Sequence, residues 1–172
     1  MSKQHVASTR AATLCRTKLG WVYLERTAKG LSRVDLPAKA KPPRPAGRDA
    51  TFMEDSLLAK ASELIRRYCK GHVVTFDLPL DLGGVPPAMR ELLAAARRIP
   101  YGQTRSYSWV AGRAGRPRAA RAAGQAMARN PLPLVIPCHR VIGADGSLVG
   151  YGGGLTLKRR LLKLECAALK GR

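Results

Sequence analysis

Residues 136–140 read Ile136-Pro137-Cys138-His139-Arg140 and end an apolar run that starts at Leu132. The proline stiffens the approach to the cysteine, and the histidine can carry a proton near neutral pH. An isolated Cys-His pair is most often a buried structural cysteine beside a surface histidine. The same pair is also what a cysteine nucleophile with an adjacent base requires. The flanking sequence has to distinguish these interpretations.

The flanking sequence favours a reactive cysteine. Residues 121–131 read Arg-Ala-Ala-Gly-Gln-Ala-Met-Ala-Arg-Asn-Pro, residues 150–155 read Gly-Tyr-Gly-Gly-Gly-Leu, and a segment from Lys158 to Glu165 follows. With Ile-Pro-Cys-His-Arg-Val, these segments resemble the O6-alkylguanine-DNA alkyltransferases, the methylated-DNA–protein-cysteine methyltransferases. The match is dense over 99–165, whereas segments 20–23 and 30–37 resemble the family's amino-terminal domain more thinly.

Length and composition limit the class of protein. A chain of 172 residues, 45% of them hydrophobic, fits one compact domain or two small ones. We find no apolar run of about 18 residues and no secretory signal, and expect no membrane partner. Four scattered cysteines form no disulfide framework and fit a reducing compartment. We therefore expect a cytoplasmic location, nucleoid-associated in a bacterium or archaeon, or a nuclear one in a eukaryote.

The net charge of +20 is unevenly distributed. Residues 1–84 carry 15 Lys/Arg and 8 Asp/Glu, and residues 85–172 carry 16 and 3. No acidic residue lies between Glu91 and Asp145, a span that holds nine arginines. So dense a basic field favours a polyanionic partner, most commonly nucleic acid. A membrane surface is disfavoured, since no amphipathic helix with bulky apolar residues accompanies the arginines.

The pattern along the chain predicts an α+β protein with a boundary near residue 84. In the amino-terminal domain, 1–84, we expect an antiparallel hairpin over 20–36, a helix over 52–69 and a third strand over 73–78. The carboxy-terminal domain, 85–172, is predicted to be mainly helical. Its helices are expected over 86–98, from Tyr107 to Ala111 after a Ser106 cap, from Arg118 to Met127, and from Lys158 to Ala168. The middle pair forms a winged-helix-like helix-turn-helix.

The second helix of this motif carries residues suited to a nucleic-acid groove. Arg118, Arg121 and Gln125 share one face, and the residues between them are small, including Ala119 and Gly124. Small residues allow close backbone approach, although a tightly packed core helix is the alternative. The resemblance implies that this helix enters the minor groove and that Arg121 replaces the flipped base. It also implies that Tyr107 contacts the phosphate and helps to rotate the nucleotide.

Cys138 is the candidate nucleophile, because a thiolate can attack an alkyl carbon. The resemblance implies that His139 acts on Cys138 through a water and that Glu165 orients His139. It also implies that Asn130 braces the turn beside the cysteine and that Tyr107 protonates the leaving guanine. Without the resemblance, Glu165 would be read as a surface residue paired with a lysine, and Asn130 as a turn former.

A flipped purine needs an apolar or aromatic wall and nearby backbone groups. The candidates for this pocket are Tyr107, Met127, Val141, Tyr151, Gly152 and Gly153, with Gly154 at the end of the loop. We expect no cofactor and no metal. Cys69 and His72 have ligand-like spacing, with Cys15 and His5 as distant candidates, but a structural zinc normally needs four convergent ligands.

These observations predict a monomeric DNA repair protein acting on alkylated double-stranded DNA. It would flip O6-alkylguanine, and less readily O4-alkylthymine, and transfer the alkyl group irreversibly to Cys138. One alternative is a non-catalytic module that binds alkylated DNA, although relatives of that kind replace the cysteine. A cysteine hydrolase is the other, although it would leave the basic helix without a purpose.

Overall fold

The computed structural model describes residues 10–37 and 55–170. An antiparallel sheet of β1 (Ala11–Thr17), β2 (Gly20–Thr27) and β3 (Gly30–Asp35) opens the described chain, in that spatial order. The β2–β3 hairpin confirms the prediction for 20–36. Gly30 has φ +147°, and a Cβ there would lie 2.5 Å from the Pro79 carbonyl oxygen. Only glycine therefore lets the 79–81 segment pass against the hairpin.

Helix α1 (Ser56–Cys69) covers this sheet. The Asp55 side chain accepts hydrogen bonds from the amides of Leu57 and Leu58, which caps the first turn and stabilises the helix by about 1 kcal/mol. The helix is amphipathic, and its buried face includes Leu58, Ala61, Ile65 and Tyr68. The predicted start at residue 52 lies outside the described residues.

The predicted strand over 73–78 is wrong. Val74, Phe76 and Leu78 are buried in alternation with more exposed residues, as in a half-buried strand. The segment nevertheless has no ladder partner among the described residues, and the nearest pairing is an isolated bridge from Leu80, beyond its end, to Leu31. Burial alternation comes from the extended backbone alone, whereas a strand also requires paired backbone groups.

The remaining elements belong to the predicted carboxy-terminal half. They are α2 (Pro87–Arg97), β4 (Arg105–Ser106), α3 (Tyr107–Arg113), α4 (Ala120–Ala128), a 3₁₀ turn (Cys138–Arg140), β5 (Val141–Ile142) and α5 (Gly154–Lys170). Strands β4 and β5 pair in parallel. Together with the sheet and α1, these elements make the predicted α+β fold. The domain boundary near residue 84 and the winged character stay predictions.

Helices α3 and α4 pack against each other and against α2. The Ser106 hydroxyl accepts from the Trp109 amide at 3.1 Å, which is the predicted cap. Helix α4 begins at Ala120 instead of Arg118, so the prediction was two residues early. The Ala119 amide donates to the Arg116 carbonyl at 2.9 Å, which closes a turn through Pro117 and Arg118 before the helix. Arg118 thus precedes the helical face that it was expected to share with Arg121 and Gln125.

One backbone hydrogen bond joins the two halves close to the Cys-His segment. The Val34 amide of β3 donates to the Pro131 carbonyl at 2.8 Å. Within the described ranges, no helix has both the length and the apolar character needed to cross a membrane.

Candidate active site

The 3₁₀ turn places Cys138 at the bottom of a cavity, with 4% of its surface exposed. The Cys138 amide donates to the Ile136 carbonyl at 2.8 Å, and the Arg140 amide donates to that of Pro137 at 2.9 Å. Leu134, in the preceding loop, has φ +71°, a conformation uncommon for a residue with a branched side chain. The approach to the cysteine is therefore a tightly specified loop.

Asn130 connects this loop to the thiol. Its Nδ2 donates to the Ile136 carbonyl at 2.8 Å and to Cys138 Sγ at 3.1 Å. Its Oδ1 accepts from the Leu132 amide at 3.0 Å. One side chain thus holds both ends of the loop and donates a hydrogen bond that favours the charged form of the sulfur.

His139 and Glu165 form a buried pair. His139 Nε2 lies 2.8 Å from Glu165 Oε1, and both side chains are almost fully removed from solvent. Because the carboxylate is an acceptor, Nε2 carries the proton, and Nδ1 is left as the basic nitrogen. Nδ1 is buried and has no hydrogen-bond partner among the described residues.

His139 and Arg140 keep Glu165 ionised at neutral pH. The guanidinium donates to Glu165 Oε1 and Oε2 at 3.0–3.2 Å, and its third nitrogen donates to the Ile99 carbonyl at 2.7 Å. The Gly102 amide also donates to Oε2, at 2.8 Å. Burial alone would raise the pKa of Glu165, but the hydrogen bonds and charges of His139 and Arg140 outweigh it and bring the pKa to about 2.

The pKa values of Cys138 and His139 define the resting state. Burial raises the pKa of the Cys138 thiol, against the hydrogen bond from Asn130 and the charge of Lys158. Burial lowers the pKa of His139, with Glu165 acting in the opposite direction. At neutral pH the site therefore holds a protonated thiol, a neutral imidazole and an ionised carboxylate. Cys138 must lose its proton before it can react, and Nδ1 of His139, the next residue in sequence, can accept a proton.

Lys158 adds a buried cation. Its Nζ donates to the carbonyls of Val141 at 2.7 Å, Val149 at 2.8 Å and Gly150 at 3.4 Å, and it lies 5.8 Å from the centre of the Tyr107 ring. Burial lowers the pKa of Lys158, and the neighbouring Cys138 raises it. An ammonium group close to the sulfur stabilises a thiolate there.

The cavity above Cys138 has a volume of about 300 Å³. The predicted pocket residues Met127, Tyr151, Gly152 and Gly153 line it. Its other lining residues are Val34, Asp35, Leu36, Ala128, Asn130, Pro133 and Cys138. Val141 and Tyr107 are not among the lining residues. Val141 is fully buried beneath the site, and the Tyr107 hydroxyl donates to the Val149 carbonyl at 3.0 Å. Strand β3, which sequence reasoning had not placed here, supplies one wall.

The predicted DNA-contacting residues lie on or beside α4. Arg118, Arg121 and Gln125 are exposed, Ala119 caps the helix, and Gly124 faces Tyr107. A Cβ at Gly124 would lie 3.9 Å from the Tyr107 ring, an ordinary contact. Not every arginine of the basic segment lies on the surface, because Arg140 is buried against Glu165.

Three residues of the site were not predicted: Tyr68, Arg140 and Lys158. Arg140 and Lys158 stand within the segments that carried the resemblance but were counted only as positive charge. Tyr68 was read as one more apolar position of its helix. A buried charge or hydroxyl is recognised by its partner. Arg140 and Tyr68 bind Glu165, which is 25 and 97 residues away in sequence, and the carbonyl acceptors of Lys158 lie 8 to 17 residues away. Among residues 10–37 and 55–170, no group of three His, Cys, Asp or Glu side chains could hold a metal, and His5 is outside those ranges.

Comparison with known proteins gives consistent matches. The family model for the 6-O-methylguanine DNA methyltransferase DNA-binding domain matches residues 87–167. A methylated-DNA–protein-cysteine methyltransferase of Methanosarcina barkeri is 39% identical over 154 residues, 88% of this chain and 94% of that protein. One from Mycolicibacterium paratuberculosis is 50% identical over 107 residues, 62% of this chain and 64% of its own length. The matched segment thus spans under two thirds of the mycobacterial relative.

Solved structures agree with these sequence matches. The Mycobacterium tuberculosis OGT in complex with DNA matches with a TM-score of 0.79 and 34% identity, over 92% of this chain and 94% of that one. The fold and site define an α+β protein that combines a helix-turn-helix with a buried cysteine, histidine and glutamate. The chain belongs to the methylated-DNA–protein-cysteine methyltransferase family.

Proposed function

We propose that this protein repairs DNA by transferring an alkyl group from O6-alkylguanine to its own Cys138. One observation carries the proposal: a buried cysteine opens into a cavity, and a carboxylate fixes the histidine beside it, whose Nδ1 has no partner in the part of the chain that the structure describes. The relatives from M. paratuberculosis and M. barkeri are both named for methyl transfer from DNA to a protein cysteine. The retained cysteine argues against a non-catalytic alkylated-DNA-binding module.

The proposed reaction starts with the transfer of the Cys138 proton to His139 Nδ1, through a bridging water. The resulting imidazolium is stabilised by Glu165, and the thiolate by Asn130 and Lys158. The sulfur then attacks the alkyl carbon, so an S–C bond forms while the C–O6 bond breaks. The departing guanine takes a proton from Tyr107, whose hydroxyl donates to the Val149 carbonyl in the resting protein. The imidazolium then returns its proton to the Tyr107 oxygen through solvent, so that both side chains end neutral. The product is a thioether, and the reaction ends there.

The base must leave the duplex before it can reach Cys138, which costs a few kcal/mol. We propose that α4 enters the minor groove, that Arg121 fills the gap and that Tyr107 contacts the phosphate. The exposed Arg121 on a helix of small residues, with Arg118 exposed just before it, supports this arrangement. The M. tuberculosis OGT structure was solved with DNA, which supports a DNA partner for this chain.

Stoichiometry and mass test the proposed function. With excess duplex containing O6-methylguanine, we expect one repaired base for each protein molecule and a mass gain of one methyl group on Cys138. Cys138→Ser should show neither, whereas Cys166→Ser, at an exposed cysteine, should react normally. Several turnovers for each molecule would contradict the proposal, and so would a methyl group on Cys166. Binding without any mass gain would identify the non-catalytic module, and turnover on ester substrates a hydrolase.

Arg121→Ala should slow repair of duplex DNA much more than transfer from free O6-benzylguanine. The reason is that Arg121 would support base flipping, which the free base does not need. We expect a loss of about tenfold to a hundredfold on duplex, since flipping costs a few kcal/mol. Single-turnover rates on both substrates measure this. Arg67→Ala, which removes an exposed arginine from α1, is the matched control and should change neither rate. Equal losses on both substrates would remove this role from Arg121.

A further inference from the structure

Tyr68 brings a hydroxyl from the amino-terminal helix α1 into the cluster around Glu165. The hydroxyl donates to Glu165 Oε1 at 2.7 Å and lies 3.2 Å from His139 Nε2. The side chain is fully buried, and its ring packs edge-on against those of Tyr101 and His139 and tilted against Phe76. These contacts fix the position of the Tyr68 side chain.

We propose that Tyr68 is a positioning residue that holds Glu165 and thereby the protonation state of His139. It anchors Oε1 where that oxygen accepts from His139 Nε2, so that Nδ1 remains the basic nitrogen. The inference rests on the proposed alkyl transfer, in which Nδ1 receives the Cys138 proton. It gives the amino-terminal half of the chain a part in the chemistry as well as in the fold.

The hydroxyl also moderates the charge that His139 experiences. Glu165 Oε1 accepts from Tyr68, His139 and Arg140, so the three donors share one oxygen. A donor on a carboxylate oxygen reduces the negative charge available to stabilise an imidazolium. Removing the Tyr68 hydroxyl should therefore make the imidazolium more stable and raise the pKa of His139.

The pKa of His139 also depends on the other groups around it. They are Cys138 and Arg140 from the 3₁₀ turn, and Lys158 and Glu165 from α5. Tyr101, from the turn after α2, packs against Tyr68 and faces the charges of Glu165 and Arg140. Burial, the largest influence, lowers the pKa of His139, Arg140 and Lys158 add to that, and Glu165 opposes it. Tyr68 donates to Glu165, the group that raises the pKa of His139 while the others lower it.

The test is Tyr68→Phe, which keeps the ring and removes only the hydroxyl. Single-turnover rates on methylated duplex are measured from about pH 5 to pH 9, the range in which histidine titrates. We expect a rate about tenfold lower at neutral pH, the equivalent of one hydrogen bond to a charged group. The acid limb of the pH–rate profile should move to higher pH, because His139 holds its proton more strongly.

Tyr23→Phe is a matched control. Tyr23 is buried, and its hydroxyl donates to Glu25 Oε2 at 3.0 Å in the same half of the protein, outside the site. Its loss should lower the melting temperature and leave the pH–rate profile in place. If Tyr68→Phe behaves in the same way, its role is structural and the inference is overturned. The wild type is measured in parallel, and failure of the wild type to transfer methyl would instead overturn the proposed function.

A measurement on the wild type needs no variant to fold. The ¹⁵N chemical shifts of His139 distinguish the two neutral tautomers, and we expect protonated Nε2 and unprotonated Nδ1 at neutral pH. A scalar or dipolar connection between the Tyr68 hydroxyl proton and the His139 ring would locate the hydroxyl. A proton on Nδ1, or a freely exchanging Tyr68 hydroxyl, would overturn the arrangement.

Discussion

Glu165→Gln should reduce the rate of alkyl transfer by about 10²- to 10⁴-fold, the range for loss of an oriented general base. Glu165 accepts hydrogen bonds from His139, Tyr68, Arg140 and the Gly102 amide, and donates none. A glutamine must turn its NH₂ toward one of these donors. If it faces His139, it favours the tautomer with the proton on Nδ1, which cannot accept the proton of Cys138. If it faces Gly102, N–H donors meet and the hydrogen bonds of Gly102 and Arg140 to Oε2 are lost instead.

The same substitution should destabilise the protein by about 3–5 kcal/mol, because it leaves the buried Arg140 charge without a counterion. The pKa of Glu165 is about 2 against an ordinary 4.5, so the wild type gains stability from ionisation that is complete above pH 4.5 and lost toward pH 2. Urea unfolding at neutral and acid pH should show this acid sensitivity decreased in Glu165→Gln.

Glu91→Gln is the control for Glu165→Gln. Glu91 also pairs with an arginine, Arg116, at 2.7 Å, but both side chains are about half exposed. Its loss should leave the rate unchanged and alter stability little. Equal effects of the two substitutions would show that the rate loss reflects general damage, and would remove Glu165 from the proposed proton path.

Lys158→Met should slow transfer by about a hundredfold at neutral pH, as expected when one preorganised electrostatic contact is removed. Burial already raises the pKa of Cys138, and the charge of Lys158 acts against that increase. Without the ammonium group the thiol holds its proton more strongly. The rate should therefore recover as the pH increases, and the whole pH–rate profile should move to higher pH.

Methionine retains the length of the side chain but leaves the Val141 and Val149 carbonyls without their donor. Lys163→Met, the same substitution at an exposed position of α5, should leave both rate and melting temperature close to the wild type. If Lys158→Met reacts at the wild-type rate at every pH, Lys158 supports the loop only and has no electrostatic role.

Local signals predicted the parts of the fold that depend on neighbours in sequence. The Ser106 cap, the β2–β3 hairpin and the amphipathic face of α1 all follow from residues a few positions apart. Strand β1 was missed because Ala11-Ala12-Thr13 carries no clear alternation, and its pairing with β2 decides its conformation. The prediction for 73–78 failed in the opposite way, since the burial does alternate but no strand in the described part of the chain pairs with the segment.

The residues of the site likewise divide into those that local sequence signals predict and those that depend on distant partners. Cys138 and His139 are adjacent, so the sequence alone suggests that they act together, whereas the resemblance supplied the link between Asn130 and the cysteine. The partnership of Glu165 with His139 came from the resemblance, because no local rule joins residues 26 positions apart. Arg140 illustrates the physical limit. From sequence it is one of nine arginines that fit a basic surface, and only the fold shows that a buried carboxylate pairs with it in the interior.

In the proposed reaction Cys138 is used only once, and its burial has a consequence for that single use. Oxidation to sulfenic acid or a mixed disulfide requires an accessible thiolate, and Cys138 is 4% exposed with its pKa raised by burial. Cys166, which is exposed, should react with peroxide or glutathione before Cys138 does. We therefore expect the resting protein to withstand oxidative inactivation at Cys138, which would keep the proposed acceptor intact until the protein binds damaged DNA.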